Sequence, residues 1–102
     1  MLVAVALFEL HIEFAQSLKE KRMVVRSLID KLRLRFSLSA AEAGLLDEHQ
    51  VARIGLTFIA IDHAAADAKF SKIQTFVESN TDATLRGWTS EKLEFDELAD
   101  LQ

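Results

Sequence analysis

The sequence has no cysteine, no proline and no tyrosine, only 3 glycines and a single tryptophan. Each scarcity removes a class of protein. Without cysteine there can be no disulfide, zinc thiolate site, iron–sulfur ligation or thiol nucleophile. Gly44, Gly55 and Gly87 stand apart from one another, so neither a Walker loop nor a dinucleotide-binding fingerprint can be built. With no proline and no low-complexity run, nothing divides the 102 residues, and the 50% that are apolar suffice for one core. No stretch reaches the roughly 20 apolar residues of a membrane helix. The apolar start lacks a basic segment and carries Glu9, His11 and Glu13 at alternate positions, the pattern of a strand and not of an export signal. The expectation is a cytoplasmic protein with no membrane attachment.

Charge is unevenly spread. The net value is −4, yet residues 17–36 hold Lys19, Lys21, Arg22, Arg26, Lys31, Arg33 and Arg35 against only Glu20 and Asp30, a local +5 that leaves −9 for the rest. Segregation of this kind bears on partners and association rates, not on fold.

Hydrophobic periodicity sets out the elements. Residues 2–14 alternate, with Leu2, Ala4, Ala6, Phe8, Leu10 and Ile12 on one face and Val3, Val5, Leu7, Glu9, His11 and Glu13 on the other, a first strand. Ser17 and Glu20 form a capping box that opens a helix running to about residue 35, with Leu18, Val25, Leu28, Ile29, Leu32 and Phe36 as its buried stripe. Residues 36–44 read as a second strand, followed by a loop containing Leu46, Asp47, Glu48 and His49; residues 51–61 alternate again as a third strand. Asp62 caps a second helix over 63–79, with Ala66, Phe70, Ile73 and Val77 inward. A turn at 80–82 leads to a fourth strand over 83–95, with a bulge near Gly87. The order βαββαβ predicts an α+β, ferredoxin-like sandwich: a four-stranded antiparallel sheet of order 4-1-3-2 with both helices on one face. Residues 1–95 form this single domain and 96–102 an acidic C-terminal tail.

Two helices on one face leave the other open. Val3, Val5, Leu7, Ile59 and Ile61 fall on that open face as an apolar patch, which marks a partner site such as a homodimer contact, or else a surface covered by the fourth strand or the tail. The polar end of the same face holds Glu9, His11 and Glu13, a set that could bind a metal or run acid–base chemistry; the plainer reading is a solvated ladder with Arg53. Asp47, Glu48 and His49 are residue types that turns favour, Asp62–His63 is a helix start, and Ser17 is a cap lacking a histidine partner or a nucleophile elbow. No catalytic residue, metal site or cofactor is assigned. An RNA-recognition motif shares the element order but needs stacking aromatics on its middle strands, which are missing; Trp88 is a lone tryptophan, more often packing than a base platform.

The first helix carries the loudest signal. At about 100° per residue, Lys19, Arg22, Arg26 and Arg33 fall within an arc of roughly 60° beside the buried stripe, with Lys21 and Arg35 as adjuncts. Arginine forks match phosphate oxygens, so the row suits RNA; a solvated face paired with the acidic remainder is the alternative.

The run Ser17-Leu18-Lys19-Glu20-Lys21-Arg22, then Val24-Val25-Arg26-Ser27-Leu28, Leu32-Arg33, Arg35-Phe36 and Ser39-Ala40-Ala41-Glu42, resembles the YlxP-like family of small bacterial domains (domain of unknown function 503) over residues 1–95. The resemblance implies a ferredoxin-like sandwich. It also implies a role near RNA or ribosome-associated factors, because genes of the family often lie among those for transcription, translation initiation and ribosome maturation. The sequence departs from the family after Asp47, where relatives often carry Leu-Trp and this chain has Glu48-His49. The readings are therefore a binding module contacting RNA or a ribonucleoprotein, a protein-interaction or homodimerisation module, and, third, an enzyme built on Glu9, His11 and Glu13.

Overall fold

The computed structural model describes residues 1–96. Its elements are β1 (Leu2–His11), α1 (Leu18–Phe36), β2 (Ser39–Gly44), β3 (Val51–Ala60), α2 (His63–Ser79) and β4 (Thr84–Glu94). The four strands form one antiparallel sheet in the order β2-β3-β1-β4, the split βαβ arrangement of the ferredoxin-like fold. β1 is central and pairs along its whole length with β3, from Leu2 opposite Ala60 to His11 opposite Val51.

Alternation decides which side is covered. Leu2, Ala4, Ala6, Phe8 and Leu10 of β1 and Ala52, Ile54, Leu56, Phe58 and Ala60 of β3 enter one core with Val25, Leu28, Ile29 and Leu32 of α1 and Phe70, Ile73 and Val77 of α2. A one-residue slip would turn every one of those side chains to solvent, so burial fixes the register.

Local signals set the boundaries. Ser17 Oγ accepts from the Glu20 backbone N–H at 3.1 Å, and the Glu20 carboxylate accepts from Gln16 N–H at 2.8 Å, so the capping box reaches one residue further back than its sequence pattern implies. Asp62 caps α2 through Ala65 N–H at 2.8 Å. All four strands are shorter at their ends than periodicity suggested, β3 by one residue and β4 by one at each end. β1 stops at His11 because Ala15 N–H turns back to Ile12 O at 3.0 Å, although Ile12 and Ala15 remain buried. β2 starts only at Ser39 because α1 continues through Phe36 and Ser37 adopts a left-handed φ of 51°. The acidic tail expected over 96–102 lies, apart from Asp96, outside the described residues.

The bulge falls where glycine allows it. Phe8 pairs with Trp88 and Glu9 with Arg86, so Gly87 is the extra residue on β4, and its φ is 74°. The inserted residue swings Trp88 to the helix side of the sheet. There its indole stacks on Phe8 at a centroid distance of 5.5 Å and meets Phe70 edge-on at 5.7 Å. Trp88 is a packing residue.

Candidate functional site

Helix α1 sorts its seven cations into two kinds. The first kind is committed inside the protein. Lys21, expected as an adjunct of the surface row, is instead 1% exposed. Its angular position lies within the core stripe, next to Val25, Leu28 and Leu32. Its ammonium donates to Leu45 O at 2.6 Å and to Glu48 O, and stands 2.9 Å from Glu42 Oε2. Two carbonyls accept from the ammonium and the carboxylate balances its charge, which is how a buried cation becomes tolerable. Lys21 therefore ties α1 to β2 and to the β2–β3 loop and has no surface to offer a ligand. Arg33 is exposed, yet its Nη2 donates to Ala40 O on the edge strand β2 at 2.6 Å. Arg35 lies over two rings, 5.8 Å from the Phe36 centroid and 5.1 Å from that of Phe76.

The second kind is uncommitted. Lys19, Arg22 and Arg26 are exposed, and no carboxylate among the described residues lies within ion-pair distance of any of them. With Lys31, Met23, Ser27 and Asp30 they wall a shallow open groove of ≈ 630 Å³ along the helix. Elsewhere among the described residues most cations are committed, Lys72 of α2 excepted. Arg53 pairs with Glu9 at 3.2 Å, Arg86 with Glu13 at 3.7 Å and Lys92 with Asp67 at 2.7 Å. The Lys69 ammonium sits 4.5 Å from the Phe58 centroid, and burial holds its pKa below the ordinary lysine value. Of the four-residue row read from the sequence, three side chains stand together with free charge, and the fourth, Arg33, is partly occupied by the edge strand.

The polar end of the open face is a ladder. Glu9 receives Arg53 Nε through Oε2 and His11 Nε2 through Oε1 at 3.3 Å, so its carboxylate is shared by two neighbours. Among the described residues, no cluster of three or more His, Asp or Glu side chains could hold a metal ion. The Asp47–His49 loop is drawn in by its backbone, through Glu48 O on Lys21, and not by its side chains. His63 approaches Glu94 at 3.9 Å rather than Asp62, which is occupied in capping.

Among the described residues nothing covers the apolar half of that face; the tail, the other cover expected for it, lies outside them beyond Asp96. Val5, Leu7, Ile59 and Ile61 are 47%, 39%, 67% and 81% exposed, Val3 is half-buried, and Leu93, opposite Val3 on β4, adds another apolar side chain at 62%. β4 lies beside β1 in the sheet and does not fold across the patch. The contribution of Leu93 escaped the sequence reading because the Gly87 bulge decides which β4 side chains share this face.

These features define a class: a small ferredoxin-like α+β module with a cationic helix on one side and a bare sheet face on the other. More narrowly, the chain belongs to the family described as "Protein of unknown function (DUF503)", whose match spans residues 3–89 and so takes in both surfaces except for Leu93 and the end of β4. Comparison with curated proteins finds no match. Among the described residues, no helix is long and apolar enough to cross a membrane.

Proposed function

We propose that the protein is a binding module that docks on RNA, free or within a ribonucleoprotein, through Lys19, Arg22 and Arg26 of α1, with Arg33 at the margin. The observation that carries this reading is the unpaired charge: in a chain of net charge −4 whose other arginines are engaged, these three cations have no acidic partner among the described residues. Phosphate oxygens supply the missing acceptors, and each phosphate neutralised releases condensed counterions. The row spans eight residues of helix, about 10 Å from first to last, so it contacts the backbone and leaves the bases unread. The open-face positions of the two middle strands, Val3, Val5, Leu7, Gly55, Thr57 and Ile59, offer no aromatic to stack bases, which separates this mode from that of RNA-recognition motifs. The resemblance to the YlxP-like family points the same way.

The test is a salt titration of labelled single-stranded RNA, followed by fluorescence anisotropy. Three phosphate contacts predict a log–log slope of about −2. Absence of binding at low salt, or binding unchanged when Lys19, Arg22 and Arg26 are all alanine, would overturn the assignment.

A further inference from the structure

We propose that the open sheet face is the contact of a homodimer, in which a dyad running along the strands between β1 and β3 lays each protomer's β1 over its partner's β3. The face carries both halves of such a joint. Val3, Val5 and Leu7 of β1 form a ridge. Beside it, Gly55 and Thr57 of β3 with Ser39, Ala41 and Ala43 of β2 floor a furrow of ≈ 500 Å³. Cross-strand register puts Val3 beside Ile59, Val5 beside Thr57, Leu7 beside Gly55 and Glu9 beside Arg53.

Rotation about the stated dyad keeps each row at its own height and exchanges the two strands. Leu7 then faces Gly55 of the partner subunit, Val3 faces Ile59 of the partner subunit, and Glu9 faces Arg53 of the partner subunit. Apolar meets apolar, the ridge enters the furrow, and opposite charges meet, each contact occurring twice as an isologous interface requires. Among the described residues, Glu91 on the edge strand β4 is charged within the apolar rows and Arg33 lines the furrow at the β2 edge, and water reaches both at the rim.

Gly55 is an independent indication. It sits in the interior of a central pairing strand, where glycine costs about 0.5–1 kcal/mol relative to alanine. A Cβ there would meet Ala43 Cβ at 3.6 Å, an ordinary contact, so nothing among the described residues demands its absence. A bare backbone inside a strand commonly marks the close approach of another group, and the partner's Leu7 is that group. Size agrees too. β1 and β3 are 10 residues each in a sheet of four strands. At about 3.3 Å per residue and 4.8 Å between strands the face covers roughly 600 Å² in plan, before side-chain relief, against about 800 Å² per partner in a standard interface.

Sedimentation velocity on the full chain across the micromolar range tests the proposal, with Ile59→Glu and Gly55→Val as variants and circular dichroism as the check on folding. The expected result is a wild-type dimer, weakened at least about 100-fold by Ile59→Glu, since that charge has no partner once buried. Gly55→Val fills the furrow with a strand-favouring side chain; it is expected to weaken the dimer at least 10-fold while the monomer stays as stable or gains stability. Gly55→Val decides the matter should Ile59→Glu fail to fold. A wild-type monomer throughout, a dimer indifferent to both variants, or recovery from its own cells as a one-to-one complex with a different protein on this face would overturn it.

Discussion

Lys21 Nζ and Glu42 Oε2 lie 2.9 Å apart in a site where the lysine side chain is 1% exposed and the glutamate 17%. The carboxylate oxygen is itself buried and has no directed hydrogen bond, so the ammonium compensates it by charge alone while donating to Leu45 O and Glu48 O. One side chain thereby joins helix, edge strand and loop, and it also holds Leu45, whose φ of 58° is costly for a non-glycine residue. Removing one member of a buried pair strands the other, at a cost of about 3–5 kcal/mol. Lys21→Met is expected to lose that much in urea unfolding and to speed amide exchange across residues 45–50. RNA affinity of the folded fraction is expected to stay as in the wild type. Loss of affinity without loss of stability would place Lys21 at the ligand after all.

Arg33 differs from its neighbours in the row because Ala40 O already uses its Nη2. Arg22→Ala and Arg26→Ala are each expected to lower the magnitude of the RNA salt slope by about 0.7 while leaving stability within about 0.5 kcal/mol of the wild type. Arg33→Ala is expected to do the reverse, costing about 1 kcal/mol of stability through the lost hydrogen bond and changing the slope little. Paired urea and salt titrations on the three variants separate the roles. Equal slopes for all three would return Arg33 to full membership of the row.

The architecture was readable because strands and helices announce themselves by period. The alternation of Leu2 to Leu10 against Val3 to His11, the Asp62 cap and the glycine at the bulge all act locally, and all reappear in the fold. What local pattern hides is the fate of a long cationic side chain. Lys21 and Arg22 are adjacent, and their angular positions on the helix differ by only about 100°. One nevertheless threads into the core because Glu42 and two loop carbonyls, 21 to 27 residues away, converge on it. Arg33 likewise depends on where β2 runs. Long-range acceptors turn a basic helix into a smaller row, and no helical wheel contains them.

Ser37 ends α1 with φ at 51° and ψ at 60°, its N–H bonded to Arg33 O at 3.2 Å. This left-handed position after a helix favours glycine, which lacks the Cβ that crowds the following carbonyl. Ser37→Gly is expected to raise stability by about 0.5–1 kcal/mol, read as a shift of the urea midpoint at constant slope. No change would mean that unfolded-state entropy gained by glycine offsets the relief.

Gly87 makes a contrasting case, because there the left-handed residue is already glycine and the space around it is free. Among the described residues a Cβ at Gly87 meets nothing within 4 Å, so the cost of Gly87→Ala comes from its φ of 74°, about 1–2 kcal/mol. The native bulge survives that change, since no atom has to move. Trp88, the single tryptophan, reports on the outcome: stacked on Phe8 and held edge-on by Phe70, its emission is expected to stay native-like in Gly87→Ala while the urea midpoint falls. Deleting Gly87 is a different perturbation. It removes the extra residue, so keeping Arg86 opposite Glu9 would turn Trp88 to the open face and the β4 side chains beyond it to the wrong sides of the sheet. Red-shifted tryptophan emission together with loss of cooperative unfolding is the expected signature. Native emission in the deletion variant would show that β4 can shift its pairing with β1, and that the bulge is not what aims the indole.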